Sequence, residues 1–175
     1  MDIFEEQIII RKKQPIDFVA IFGSIILAVV VFWLLIFGPY VFVRTGLGGL
    51  VFALAAAAIF GIYKLIIHFN QEFEYCFTNG MMDVDKIINR SKRKHLLEVN
   101  ARKIEAMAKT DTPEYQRLKQ STGVKKVFAC VSMNCPDNYY IHYIAGDGKQ
   151  VLLVFTPNDA IKDGFRRYNP QKVIL

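Results

Sequence analysis

Two long apolar runs open the chain, and a pattern of alternating polar and apolar residues follows them. The first run, between Asp17 and Arg44, contains no charged residue, and the second contains only Lys64, near its end. A helix needs about 20 apolar residues to cross the hydrocarbon core of a bilayer, and a lysine close to a helix end can extend its ammonium group to the interface. The pattern therefore predicts a hairpin of two transmembrane helices, at about residues 17–37 and 47–69.

The charges that flank these runs predict their orientation. Arg11, Lys12 and Lys13 precede the first run, whereas Arg44 is the only charged residue in the connection, residues 38–46. Because cytoplasmic flanks carry an excess of Lys and Arg, both termini are expected in the cytoplasm, in a multi-pass integral protein of the cell membrane. The chain then divides into a cytoplasmic N-terminal segment (1–14), the membrane hairpin (15–70) and a cytoplasmic domain (71–175).

Each predicted helix carries small residues at four-residue spacing. Small side chains let helix backbones approach closely, which stabilises helix packing in lipid. We expect the two stripes to pack against each other within one hairpin, and the alternative is the interface of a homo-oligomer. The stripes are Ala20, Ser24 and Ala28 in the first helix, and Gly49, Ala53, Ala57 and Gly61 in the second.

From residue 71 onward the apolar period changes to two, which is typical of strands. Phe73, Tyr75 and Phe77 fall on one face, and Asn79-Gly80 is a strong signal for a tight hairpin turn. The segments that follow predict further strands, interrupted by a loop with a short helix at residues 109–123.

Residues 156–168 predict a C-terminal helix that begins with a cap. Thr156 is the expected cap, Pro157 suits the first turn, and Asp159 completes a variant of the capping box. The chain is thus expected to be a membrane α-helical hairpin followed by a mainly-β domain.

The polar part of the chain combines a "TNG" segment, a strand that ends in a basic turn, a "LLEVNARKIEAM" segment and a capped helix. This combination resembles the bacterial PH-like domains. The chain is similar in particular to small two-helix membrane proteins of Firmicutes. The resemblance covers roughly residues 71–172 and the membrane anchor. It implies a PH-like split barrel of six to seven antiparallel strands, capped by the C-terminal helix, with no enzymatic activity. In phosphoinositide-binding PH domains the basic residues lie on the first strand–strand loop, which the pattern here assigns to Asn79-Gly80.

The overall composition supports a membrane protein rather than a nucleic-acid-binding protein. Of the 175 residues 53% are hydrophobic, and the formal net charge is +6. In the polar part, residues 71–175, 17 Lys and Arg are mixed with 12 Asp and Glu. A modest excess of this kind, densest beside the apolar runs, suits a membrane surface better than nucleic acid.

The cysteines and histidines offer an alternative function. Cys130, Cys135 and His142 could form a redox or metal site of a membrane-bound enzyme. Zinc sites use a tighter Cys pair with two further ligands, and no nucleophile is placed beside a base. We therefore expect no enzyme, no cofactor and no metal, and we assign Cys130 to the core.

A cluster of cations follows the second predicted strand. Arg90, Lys92, Arg93 and Lys94 are expected in a turn that faces the cytoplasmic leaflet. Each Lys or Arg near an anionic surface contributes about 1 kcal/mol, and the alternative is a solvated turn. The sequence thus predicts a non-enzymatic membrane-tethered module that recruits an unidentified protein partner and can contact anionic lipid headgroups.

Overall fold

The computed structural model describes residues 3–13, 15–42 and 48–175, which divide into two compact units. One unit is helical and comprises Lys13–Asn70, and the other joins the residues up to Lys12 to Gln71–Leu175. The described elements are, in chain order, β1 (Phe4–Ile10), α1 (Pro15–Phe42), α2 (Gly48–Phe69), β2 (Gln71–Thr78), β3 (Met81–Ile88), β4 (Lys92–Asn100), β5 (Ile104–Lys109), α3 (Pro113–Gln120), β6 (Val124–Ala129), β7 (Tyr139–Ile144), β8 (Gln150–Phe155) and α4 (Asp159–Tyr168).

The helical unit consists of α1 and α2, and most of their large apolar side chains are exposed. In α1 the stretch Asp17–Gly38 has a mean hydropathy of 3.0 and is long and apolar enough to cross a membrane. The apolar stretch of α2 is shorter, Phe52–Ile67. The described residues thus contain one helix of spanning length and composition, where the sequence predicted two. The predicted connection, residues 38–46, lies partly outside the described residues.

α2 contacts α1 through a different face from the one predicted. A cavity of about 260 Å³ lies between the helices, and Leu54, Ala55 and Ala58 line its α2 side. The predicted stripe on α2 does not line this cavity, and all four of its residues are exposed in the single chain. Five alanines between residues 53 and 58 offer more than one stripe of small residues, so spacing alone did not select the buried one. The exposed residues are Gly49, Ala53, Ala57 and Gly61.

The predicted stripe on α1 is only partly buried. Ser24 is buried, and its hydroxyl donates a hydrogen bond to the carbonyl of Ile21 (2.7 Å). Ala20 is half-buried and Ala28 is exposed. The contact face of α1 instead continues through larger residues, among them Val31, which is buried and lines the cavity.

Sheet A contains β1, β2, β3 and β4 in sequence order, and all its pairs are antiparallel. β1 pairs with β2 from Phe4↔Thr78 to Ile10↔Glu72. This strand has no counterpart among the predicted elements, which place residues 1–14 in a separate segment. The Asn79-Gly80 hairpin turn is confirmed, since it connects β2 to β3 with φ values of 50° and 90°.

Sheet B has the order β5-β7-β8-β6, and β6 runs parallel to β8. The predicted six to seven antiparallel strands are therefore corrected to eight strands with one parallel pair in the described part of the chain. Alternation within a strand does not specify the direction of its partner. The connection from β6 to β7, residues 130–138, lets the chain cross to the far side of β8 before β7 begins.

A common hydrophobic core joins sheet A, sheet B and α4. Ile161 and Phe165 of α4 are fully buried, and the Phe165 ring lies 5.1 Å from the ring of Phe77. The helix begins two residues later than predicted, because the side chain of Asn158, and not Thr156, accepts from the N–H of Ile161 (2.9 Å).

A buried polar network also connects the two sheets. The hydroxyl of Tyr75 in β2 donates to the carbonyl of Ala129 and accepts from the N–H of Thr156 (3.3 Å). The hydroxyl of Thr156 donates to the side-chain oxygen of Asn138 (2.8 Å), a fully buried residue. Because these partners lie on different sheets, the network fixes the position of one sheet relative to the other.

Candidate functional site

The β3–β4 turn lies at the end of sheet A where β1 ends and β2 begins. In the β2–β3 pair, Gln71 is opposite Ile88, the last residue before the turn. Asn70 alone separates Gln71 from α2, and β1 ends beside the same edge, where the N–H of Arg11 donates to the carbonyl of Gln71 (3.0 Å). The turn and both chain connections therefore share one end of the sheet.

The four predicted cations do not all lie in this turn. Only Arg90 belongs to it, with a φ of 53° in the left-handed region that non-glycine residues rarely adopt. Lys92, Arg93 and Lys94 form the first three residues of β4. Because side chains alternate along a strand, Arg93 points to the outer face of sheet A, and the two lysines point to the face that carries the core.

Both arginines are paired with buried carboxylates. Nε of Arg90 lies 3.1 Å from Oε1 of Glu72, and Nη2 of Arg93 lies 2.7 Å from Oε2 of Glu74. The glutamate side chains are only 11% and 8% exposed, whereas those of the arginines are 77% and 61% exposed. The charges of these two arginines therefore neutralise the carboxylates of β2.

Glu74 depends on its arginine in particular. Burial raises the pKa of Glu74, the charge of Arg93 opposes that effect, and contact with Glu6 raises it further. Oε2 of Glu74 has no well-directed hydrogen bond from a described residue, so the ion pair with Arg93 is its main compensation.

The lysines form a second group, in which Lys92 and Lys94 belong to the predicted cluster and Lys86 does not. Lys94 is directly opposite Lys86 in the β3–β4 pair, and Lys92 is opposite Ile88. Like charges in directly opposite positions destabilise a sheet. Burial, followed by the positive charges of Arg11 and Lys94, lowers the pKa of Lys86. We call Arg11, Lys86, Arg90, Lys92, Arg93 and Lys94 the basic end.

Lys86 could have been found from the sequence, because it shares the strand frame of Met82 and Val84. None of Lys86, Lys92 and Lys94 forms an ion pair with a carboxylate of the described residues. The basic end therefore presents uncompensated positive charge from its lysines, which an anionic group can neutralise.

The alternative site of two cysteines and a histidine is not assembled. Among the described residues, no three His, Cys, Asp or Glu side chains lie close enough to hold one metal ion. Cys130 is buried in the core beside sheet B, and burial raises the pKa of its thiol to about 11. A protonated thiol is a poor nucleophile and a poor metal ligand.

A family model described as Bacterial PH-like domain (DUF6106) matches residues 1–175. The chain belongs to this family. No curated protein and no solved structure matches the chain. The PH-like domain includes β1, so its first strand–strand connection is the helical unit and not the Asn79-Gly80 turn. The basic end of this PH-like domain lies at that first connection.

Proposed function

We propose that the chain is a non-enzymatic interaction module tethered to the cytoplasmic membrane. In this proposal α1 and α2 cross the bilayer as a hairpin, and the basic end of the PH-like domain contacts anionic headgroups of the cytoplasmic leaflet. The opposite end of the domain then faces a protein partner. PH-like domains generally act as interaction modules rather than enzymes, which supports the function class.

The proposed membrane topology rests on the pairing of β1 with β2. The two strands pair in register from Phe4↔Thr78 to Ile10↔Glu72, and the helical unit lies between them in sequence. Both ends of the helical unit must therefore emerge on the same side of a membrane. A segment that starts and ends on one side crosses an even number of times, so if α1 crosses, α2 must cross back.

The length of α2 is compatible with this return. Its apolar stretch is short, but the whole helix has 22 residues, and at 1.5 Å per residue it is about 33 Å long. The hydrocarbon core is about 30 Å thick. Lys64 lies near the C-terminal end of α2, where its ammonium group can extend to the cytoplasmic interface.

The orientation follows from the distribution of charge. Arg11, Lys12 and Lys13 stand before α1, and the other cations of the basic end follow α2. Under the positive-inside rule, both termini and the whole PH-like domain lie in the cytoplasm.

The lysines of the basic end provide the proposed lipid contact. Lys92 and Lys94 have no carboxylate partner in the described part of the chain, so each can contribute about 1 kcal/mol at an anionic surface. Arg90 and Arg93 contribute less, because their pairing with Glu72 and Glu74 already compensates their charge.

The test measures how closely the β3–β4 turn approaches lipid. It requires the whole chain in lipid nanodiscs, because a fragment that begins at residue 71 lacks β1, whose Ile9 is part of the core. A bimane label on Ser91→Cys, in a Cys76→Ser/Cys135→Ser background, should be quenched by headgroup nitroxides when anionic lipid is present. The quenching should weaken between 0.1 and 1 M salt, over which the Debye length falls from about 10 to about 3 Å.

A matched pair of variants controls for net charge. Lys92→Gln/Lys94→Gln should reduce the quenching, whereas Lys125→Gln/Lys126→Gln removes the same charge from β6 and should leave it unchanged. Quenching that does not depend on lipid charge, salt or Lys92 and Lys94 would show that the basic end does not contact anionic lipid.

A further inference from the structure

A groove opens at the end of the PH-like domain opposite the basic end. Met81 and Asn100, the residues of β3 and β4 farthest from the basic end, line it together with the β7–β8 turn. Its volume is about 410 Å³, within the range of about 300–1,000 Å³ that is typical of ligand sites. We call it the β4 groove.

One wall of the β4 groove is the unpaired edge of a sheet. β4 is the last strand of sheet A, and both Glu98 and Asn100 line the groove. The N–H of Ala101 donates to the carbonyl of Gly80 (2.8 Å), which fixes the alternation of the β3–β4 ladder. In that alternation Leu97 and Val99 bond to β3, and the N–H groups of Glu98 and Asn100 point away from it.

These edge groups have no partner among the described residues. Outside the β3–β4 ladder, the described residues form no hydrogen bond with the main-chain N–H of Glu98 or Asn100, or with the carbonyl of Glu98. A row of unpaired main-chain groups on an edge strand is a template for pairing with another extended segment. In β-strand addition these bonds supply affinity, and pockets for alternate side chains supply specificity.

The other walls indicate the chemistry of the added segment. Leu97, Tyr143 and Val151 are buried side chains that line the groove and give it an apolar floor. Lys103 and Lys125 come from separate elements, line the rim, and form no ion pair with a described residue. Lys149, also on the rim, is paired with Asp147 (2.8 Å).

We propose that the β4 groove binds an extended segment of a partner protein, which adds as a strand to β4. The segment places an apolar side chain on the floor and an Asp or Glu carboxylate near Lys103 and Lys125. This inference rests on the proposed function, since it names the partner-binding surface of the same module.

The experiment selects peptides against the whole chain. A phage-displayed library of random 12-residue peptides is panned on the chain in nanodiscs, with empty nanodiscs for subtraction, and the recovered peptides are synthesised for affinity measurement. We expect recovered peptides to combine β-branched or aromatic residues with Asp or Glu. On binding, the amides of Glu98 and Asn100 should exchange with solvent at least 10-fold more slowly.

Two pairs of variants test the geometry of binding. Glu98→Pro removes a groove-facing N–H, and Pro is tolerated on an edge strand in that position, so affinity should fall at least 10-fold. Glu98→Ala keeps that N–H and should not weaken binding. Lys125→Glu should weaken binding about 10-fold, whereas Lys126→Glu, which reverses the charge of the next residue on the opposite face of β6, should not.

Two outcomes would overturn the proposal. One is that no peptide is recovered above the empty nanodiscs, and the other is that recovered peptides bind Glu98→Pro as well as Glu98→Ala. If either occurs while the Ser91 label remains quenched by anionic lipid, the β4 groove is refuted and the membrane-facing basic end is retained. If that quenching is also absent, the proposed function itself fails.

Discussion

Replacing Tyr75 by Phe tests the polar network that connects the two sheets. The ring can remain in place, packed edge-on against Phe155 with centroids 5.6 Å apart. The substitution removes a fully buried hydroxyl, which leaves the carbonyl of Ala129 and the N–H of Thr156 without this partner. A buried polar group without its partner costs about 1–3 kcal/mol, so we expect Tyr75→Phe to lower the free energy of unfolding by roughly 2–3 kcal/mol.

The unfolding assay needs a signal from the PH-like domain. The single tryptophan, Trp33, lies in α1 and reports on the helical unit. The thiol of Cys130 is buried in the PH-like domain, so pulsed thiol labelling in urea reports its unfolding. With an m-value of about 1–3 kcal/mol/M, the midpoint for Tyr75→Phe should fall by about 0.7–3 M.

Tyr143→Phe is the matched control for this prediction. Tyr143 is also buried, on β7, but its hydroxyl has no hydrogen-bond partner among the described residues. Its loss should change the free energy of unfolding by less than about 0.5 kcal/mol. Equal midpoints for Tyr75→Phe and Tyr143→Phe would refute the reasoning that the network stabilises the packing of the sheets.

Three further predictions concern other parts of the domain. Gly164→Ala should destabilise the domain by about 1–2 kcal/mol in urea unfolding, despite the better helix propensity of Ala, because its Cβ would lie 2.8 Å from the ring of Phe77. Arg93→Ala should lower stability more at pH 7 than at pH 4. In this variant the buried carboxylate of Glu74 has lost its arginine, and protonation at low pH removes that uncompensated charge. An equal loss at both pH values would contradict the ion pair. Stability should also fall as pH rises from 9 toward 11, because burial raises the pKa of Cys130 from 9.0 to about 11 in the folded chain. Over this range the unfolded chain loses the thiol proton before the folded chain does. Cys130→Ala should remove this part of the pH dependence in urea titrations.

Local signals in the sequence predicted the elements whose causes are local. The Asn79-Gly80 turn needs two residues with positive φ, which these residue types adopt readily, and the structure has it. The apolar runs likewise predicted α1 and α2. The strand β1 was missed because three consecutive isoleucines end it without alternation, and its partner β2 follows the whole helical unit. A pairing between strands so far apart in the sequence has no signal in the residues next to either strand.

The candidate site was predicted as a cluster of charges along the sequence, but its charges act through the register of the strands. Alternation in β4 places Arg93 and Lys94 on opposite faces, and only the β2–β3–β4 register brings Arg93 to Glu74 and Lys94 to Lys86. The run of cations could therefore be seen in the sequence, whereas the division between compensated arginines and uncompensated lysines could not.

Labelling with a membrane-impermeant maleimide tests the central claim most directly. In the proposed function, the pairing of β1 with β2 keeps both ends of the helical unit on one side of the membrane, so we expect a label at residue 45 to lie on the other side. In intact cells, Thr45→Cys should be labelled from outside, whereas the native Cys76 and Cys135 should be labelled only after permeabilisation. Labelling of Cys135 from outside, or of Thr45→Cys only after permeabilisation, would contradict the account.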